Sequence, residues 1–265
     1  MKISVLMGIY NCADTLDSAI ASILGQSITD WELILCDDGS TDDTYQVAER
    51  YRQQYPQKLT LLKNQENKGL NYTLNRCLSA ATGEYIARMD GDDLCMPNRF
   101  ALELQTLESN PDIAIVSTPM EYFDENGTWA TGTAIPHPQP KDFLHGTPFC
   151  HAPCMLRRQA LLAVGGYTDD KKFLRVEDYD LWIKLYAAGY QGVNLPQPLY
   201  RMRDDRNATA RRKFRYRINE ARVKAKAVRL LKLPVWGYLY ALRPILVGLL
   251  PTFLYTRLHK KRLGS

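Results

Sequence analysis

The sequence predicts an α/β protein: a mixed, mostly parallel central sheet flanked by helices, followed by a basic amphipathic helical extension at the C-terminus. Two observations predict the sheet. Short β-rich runs alternate with helix-period runs through the first 110 residues, and acidic or polar clusters stand where the strand runs end. A third observation marks off the extension, because the charge reverses near residue 210. Residues 211–265 hold 15 Lys or Arg and one acid, Glu220, a net +14, which leaves 19 bases and 28 acids, a net −9, for residues 1–210. The whole-chain value of +5 conceals both.

Taken in order, Ile3 to Ile9 is an apolar run that reads as a buried first strand. It is too short for a secretory leader and breaks at Tyr10-Asn11. Ala13 to Leu24 carries Leu16, Ile20, Ile23 and Leu24 on one helical face. Glu32 to Cys36, Leu59 to Lys63 and Tyr85 to Met89 read as strands, with helical runs from Asp42 to Gln54 and from Gly69 to Ala81 between them. Pro97 opens a further helix. Ile113 to Val116 is a strand, and Asp124-Glu125-Asn126-Gly127 turns between two extended pieces. The Pro-flanked stretch from Pro136 to Pro153 is a structured loop; helices follow, one from Ala160 to Gly165-Gly166 and one over Glu177 to Ala188.

At 265 residues and 45% hydrophobic content, the chain is long and apolar enough for a substantial core, which excludes a disordered or fibrous protein. Its six cysteines contain no Cys-x-x-Cys pair, so neither a disulfide framework nor a zinc site is suggested, and reduced thiols in the cytoplasm are expected. In open sheets of this kind ligands gather beyond the carboxyl ends of the strands. Tyr10-Asn11, Asp37-Asp38-Gly39-Ser40 and Asp90-Gly91-Asp92-Asp93 all stand there. Three carboxylates within four residues repel one another unless a cation or hydrogen-bond donors offset them, and an oxygen-only donor set suits Mn²⁺ or Mg²⁺. The competing account is an acidic turn in which Asp92 or Asp93 caps the helix opened by Pro97.

The ordered set Ile3-Ser4-Val5-Leu6-Met7-Gly8-Ile9-Tyr10-Asn11, Asp37-Asp38-Gly39-Ser40-Thr41-Asp42, Asn67-Lys68-Gly69, Gly83-Glu84-Tyr85-Ile86, Asp90-Gly91-Asp92-Asp93 and Glu177-Asp178 resembles the family 2 glycosyltransferases. The resemblance runs from residue 3 to about 203. It implies the Rossmann-like GT-A fold and an inverting, metal-dependent transfer of sugar from a nucleotide-diphosphate donor, most simply a UDP-sugar. It also implies a division of the chain into a glycosyltransferase domain over 1–207, with a nucleotide-binding half at 1–110 and an acceptor-binding half at 111–207, and a membrane-associating tail over 208–265.

On that resemblance Asp92 is the direct metal ligand, Asp90 contacts ribose or metal beside Gly91, and Asp93 is structural. Asp38 accepts from the nucleobase, while Asp37 holds the loop or shares that role. Tyr10 and Asn11 pack on and bond the base, or close the turn. Asp178 is the base that activates the acceptor, supported by Glu177; the competing account of both is an acidic first helical turn complementing the macrodipole. His151 reaches the diphosphate or acceptor, or fixes its loop. Arg201 and Arg203 point the same way from an extended run and either bind diphosphate or form a solvated face. Trp182 lines the acceptor site or belongs to the core. The Gln-x-x-Arg-Trp element of processive polymerising members is absent after Asp178, which favours single addition.

The expected acceptor is a saccharide, lipid-linked, for a surface polysaccharide. The tail, basic from Arg211 to Leu231 and apolar from Val235 to Thr256, is expected to place the protein peripherally on the cytoplasmic face of the membrane as an interfacial helix pair. A membrane span or a packed homo-oligomer interface are the alternatives, and nucleic acid is not an expected partner. Two rival classes explain less. A sugar-phosphate nucleotidyltransferase needs a Gly-rich, basic loop after the first strand where this chain has Asn11-Cys12-Ala13-Asp14, and a non-catalytic membrane or nucleic-acid binding module leaves both carboxylate motifs unused.

Overall fold

Alternation along β1 (Ile3–Ile9) sends Ile3, Val5, Met7 and Ile9 into one apolar layer and Leu6 into another. A strand buried on both faces belongs inside a covered sheet. A computed structural model describes residues 1–204 and 214–249 and places β1 near the centre of a seven-stranded sheet. Its neighbours are β2 (Trp31–Asp37) and β4 (Tyr85–Arg88), both parallel to it, with β3 (Leu59–Lys63) parallel to β2 at one edge. Beyond β4 come β9 (Met155–Arg157), β6 (Ile113–Ser117) and the edge strand β10 (Gln191–Asn194). β9 runs antiparallel to both β4 and β6, so the sheet is mixed. That strand falls within three residues of the Pro-flanked loop, where no periodicity marks it.

One layer of the core gathers around α1 (Ala13–Leu24), which buries Leu16, Ala19, Ile20 and Ile23. The opposite layer gathers around α3 (Leu70–Ala80) and α6 (Glu177–Ala187), with α5 (Arg158–Ala163) at its margin. α2 (Thr44–Gln54) flanks β3. A second sheet of four strands, β5 (Leu94–Cys95), β11 (Tyr200–Arg203), β7 (Met120–Asp124) and β8 (Gly127–Thr131), stands beside the carboxyl end of β4. The turn at Asp124 to Gly127 lies between β7 and β8 as the sequence suggests.

The helix expected at Pro97 is α4 (Arg99–Ser109), with Asn98 before it and no side-chain cap. Asp92 and Asp93 therefore do not cap it: β5 intervenes and pairs with β11. Within α4, Arg99 and Glu103 form a fully buried ion pair at 3.2 Å. The Arg99 guanidinium also donates to the carbonyls of Arg88 (2.9 Å) and Cys154 (3.3 Å), tying the helix to the end of β4.

The basic stretch after residue 210 begins, among described residues, with α7 (Phe214–Leu230), and α8 (Tyr238–Gly248) folds back on it. α7 packs on α6 and on the turn Pro140–Leu144, burying Ala221, Val223, Ala227 and Val228. Two of its lysines point inward: Lys224 donates to Leu144 O (3.3 Å), and Lys226 pairs with the buried Asp180 carboxylate, which also accepts from Thr168 Oγ1 at 2.6 Å. Among the described residues no helix is long and apolar enough to cross a membrane. The apolar run expected to Thr256 extends past Leu249, outside the described residues.

Candidate active site

β1, β2 and β4 all end at one rim of the sheet, and their polar termini meet there. Tyr10 is 48% exposed, its ring open to a ligand. Asn11 has the opposite character. Its φ is +47° and its Oδ1 accepts from Thr41 N (2.9 Å), while its own amide donates to Ser40 Oγ (3.1 Å), so Asn11 closes the turn against the loop after β2.

The two aspartates at the end of β2 are held differently. Asp38 Oδ1 accepts from Asn64 Nδ2 (2.7 Å) and Lys68 N (2.8 Å), and its Oδ2 accepts from Gly69 N (2.8 Å). It is Asp38 that holds the facing loop. Asp37 is buried and accepts from Ser40 N (3.3 Å) through Oδ1, and its Oδ2 has no protein partner. Gly39, at φ +74°, lets this turn press against the backbone of Glu66 and Asn67, where a Cβ would lie 2.8 Å from Glu66 C.

At the end of β4 one oxygen from each of Asp90, Asp92 and Asp93 lies within 4.8 Å of the others. Asp93 is buried, accepting from Arg203 N at 2.8 Å, and burial followed by the charges of Asp90 and Asp92 pushes it up to about 8. Asp92 stands at the solvent edge of the cluster; the protein around it and the Asp90 charge raise it too. Burial dominates both shifts and mutual repulsion adds to them, and the donors are all oxygens. The cluster therefore fits Mn²⁺ or Mg²⁺, with Asp92 and Asp90 as holders and Asp93 braced by β11. Gly91 is dictated by packing, since a Cβ there would fall 2.9 Å from Cys12 Sγ.

Arg88, a residue the motifs did not single out, anchors this cluster. It is buried, and both terminal guanidinium nitrogens donate to the Asp90 carboxylate. Its charge also bears on Asp178 and His151. The signal for it was present: a lone charge in the apolar run Tyr85 to Met89 demands a buried partner.

Asp178 lies in the first turn of α6, half-buried, with Oδ2 accepting from Thr147 Oγ1 at 3.3 Å. Burial, then the neighbouring Glu177 charge, pushes it up to about 6. Glu177 Oε2 is buried without a protein partner. His151 Nε2 shares a hydrogen bond with Tyr167 OH (2.9 Å), and burial with the Arg88 charge holds the imidazole neutral well below its ordinary range. Tyr167 is fixed in turn by Asn75, which bonds both its backbone N–H (2.9 Å) and C=O (2.8 Å).

Trp182, by contrast, is wholly buried against Phe149 and His151, which places it in the core and out of the cleft. Arg201 and Arg203 do point the same way, both over the Phe123 ring. Arg201 is taken by Glu121 (3.5 Å) and Thr128 (3.2 Å), while Arg203 Nε reaches the Asp92 carbonyl at 3.4 Å and stands beside the carboxylate cluster.

This geometry has counterparts among known proteins. Residues 4–165 match the family described as Glycosyl transferase family 2, and residues 85–259 match Glycosyl transferase family group 2. The chain is 44% identical over 261 residues to "Putative glycosyltransferase EpsE" of Bacillus subtilis, covering 98% of this chain and 94% of the relative. It is 30% identical over 270 residues to an Escherichia coli protein named "UDP-Gal:alpha-D-GlcNAc-diphosphoundecaprenol beta-1,3-galactosyltransferase", covering 98% and 96%. Among solved structures, the mannosyltransferase PcManGT of Pyrobaculum calidifontis, in complex with GDP-Man and Mn²⁺, superposes with a TM-score of 0.68 at 22% identity, over 100% of this chain and 76% of that one. A match across most of the chain, a near full-length relative and a shared fold lead to one conclusion: this chain is a family 2 glycosyltransferase with the GT-A fold.

Proposed function

We propose that the protein transfers a single sugar from a UDP-sugar to a lipid-linked saccharide with inversion at the anomeric carbon, in the assembly of a surface polysaccharide at the cytoplasmic face of the membrane. One observation carries this reading. Asp178, a carboxyl pushed up to about 6, and the Asp90–Asp92–Asp93 cluster are separate acidic groups, and the buried Arg88 bonds Asp90 while its charge reaches Asp178. Inversion by direct displacement needs this division, with a base for the incoming hydroxyl on one side and charge stabilisation for the departing diphosphate on the other. The E. coli relative, whose name gives a UDP-sugar donor and a diphosphoundecaprenol-linked acceptor, supports both substrate classes.

In this reading the Asp178 carboxylate takes the proton of the acceptor hydroxyl as its oxygen bonds to the anomeric carbon. The bond from that carbon to the β-phosphate breaks, and the nucleoside diphosphate leaves with the electron pair. Asp92 and Asp90 would hold a divalent ion, which would supply charge stabilisation for the diphosphate. Arg88 holds the Asp90 carboxylate in place, and Arg203, beside Asp92, would reach the same phosphates. Tyr10 offers its ring to the base, and Asp37 Oδ2, the one oxygen of the Asp37–Asp38 pair without a protein partner, is the acceptor proposed for its N–H group. His151, neutral and bonded to Tyr167, shapes the floor between the two halves. A test is to incubate the purified protein with Mn²⁺, a panel of nucleotide sugars and a diphosphate-lipid saccharide, and to assign the product's anomeric configuration by NMR. A product retaining the donor's configuration would overturn the mechanism; turnover of GDP-sugars alone would overturn the donor assignment.

A further inference from the structure

The C-terminal helices carry a face that the sugar-transfer site does not use. α8 buries Ala241 and Pro244, and turns Leu239, Leu242, Leu246 and Leu249, spaced three, four and three residues apart, to the other side. These four leucines are between 52% and 67% exposed, and Val235 and Trp236 continue the same apolar surface from the preceding turn. Contiguous exposure of this kind marks an interaction surface.

Its surroundings say what covers it. From Ala221 to the last residue there are ten Lys or Arg and no acid. Lys224 and Lys226 are turned into the body, whereas Arg222, Arg229, Lys232 and Arg243 are exposed around the helix pair. Two copies meeting through this face would bring like-charged rims together, but an anionic bilayer complements them. At 11 residues α8 is about half the length that crosses the hydrocarbon, so it fits the plane of the interface. Trp236 and Tyr238 suit the headgroup level.

We infer that α8 docks on an anionic phospholipid surface, its leucines inserted and the flanking basic side chains at the phosphates. The docked face adjoins the acceptor side of the site. Tyr240 packs edge-on against His145 with ring centres 5.2 Å apart, Lys224 donates to the carbonyls of Leu144 and His145, and two residues further Thr147 bonds Asp178. Docking therefore holds the loop beside Asp178 at the membrane surface; this last step rests on the proposed reading of Asp178 as the base for a lipid-linked acceptor.

Flotation of the full-length protein with vesicles tests the docking. Wild type should float with phosphatidylglycerol-containing vesicles, and much less with pure phosphatidylcholine or at high salt. Leu242→Asp/Leu246→Asp should weaken that binding at least about tenfold while leaving donor hydrolysis in solution unchanged. A second variant, Arg229→Gln/Lys232→Gln/Arg243→Gln, leaves the leucines intact and should lose the phosphatidylglycerol dependence. Failure of the wild type to float, or flotation of both variants like the wild type, would overturn the inference. So would a wild-type dimer, seen by light scattering, that the leucine variant dissociates, because the face would then belong to a second copy. Donor hydrolysis is read without vesicles, so its absence alongside normal flotation would count against the proposed reaction and leave the docking face standing.

Discussion

Replacing Asp178 with Asn isolates the role proposed for it, as the base, from the other functions of the site. The amide keeps the volume of the carboxylate and a partner for Thr147, and α6 contributes nothing to the ends of β1, β2 and β4. Proton removal by a positioned base contributes roughly 10²- to 10⁴-fold, about 2.7–5.5 kcal/mol, so kcat should fall by that factor while UDP binding stays within about twofold. The pH profile gives a sharper test. With Asp178 pushed up to about 6, the ionised fraction is about 90% at pH 7 and about 10% at pH 5, so wild-type kcat/KM should drop close to tenfold between them. An Asp at its ordinary value near 4 would stay more than about 90% ionised over that range and give a flat profile.

The same shift has a second cause that can be removed. Burial comes first, and the Glu177 charge second. Glu177→Gln removes the like charge, so the acid limb should move to lower pH and activity at pH 5 should rise relative to activity at pH 7. Stopped assays over pH 5–8 with saturating Mn²⁺, together with calorimetry of UDP binding, supply both readouts. A flat limb between pH 5 and 7, or an Asp178→Asn variant keeping more than about a tenth of wild-type kcat, would refute the assignment of the base.

Three other perturbations bear on the rest of the structure. Asp92→Ala should weaken Mn²⁺-dependent UDP binding at least about tenfold by calorimetry, and unchanged Mn²⁺ stimulation would remove Asp92 from the metal set. Asp38→Ala takes the acceptor from Asn64, Lys68 and Gly69; it should cost about 2–3 kcal/mol in urea unfolding and expose the Lys68 and Gly69 amides to fast hydrogen exchange, whereas retained protection would show that the loop is held by other means. Glu103→Ala leaves the Arg99 guanidinium buried without its counter-charge, and removing one partner of such a pair costs about 3–5 kcal/mol; a loss under about 1 kcal/mol would mean the three carbonyls around Arg99 suffice.

What could be read from the sequence depended on whether a feature was local. β1, α1 and β3 stand where periodicity puts them, because their apolar spacing is set by the same layers that bury them. The positions of Asp92 and Asp178 were legible because each sits in a short motif at an element's end, although their roles remain proposals. β9 was not, since a three-residue strand acquires its identity from β4 and β6 on either side. The anchoring of Asp38 was equally hidden, because it depends on a loop about 30 residues away that turns Asn64, Lys68 and Gly69 toward its carboxylate.

Arg88 shows how the two kinds of information combine. Its position in an apolar strand run implies a buried cation, and a buried cation implies a carboxylate nearby, but only the fold says which one. The partner is Asp90, and the same guanidinium lies close enough to depress His151 and to offset part of the upward shift of Asp178. One guanidinium thus bonds Asp90 directly and acts on Asp178 at longer range, as the weakest of the influences on that carboxyl. In the proposed mechanism, where Asp178 is the base and Asp90 and Asp92 serve the diphosphate, a change at Arg88 would be felt at both ends of the site.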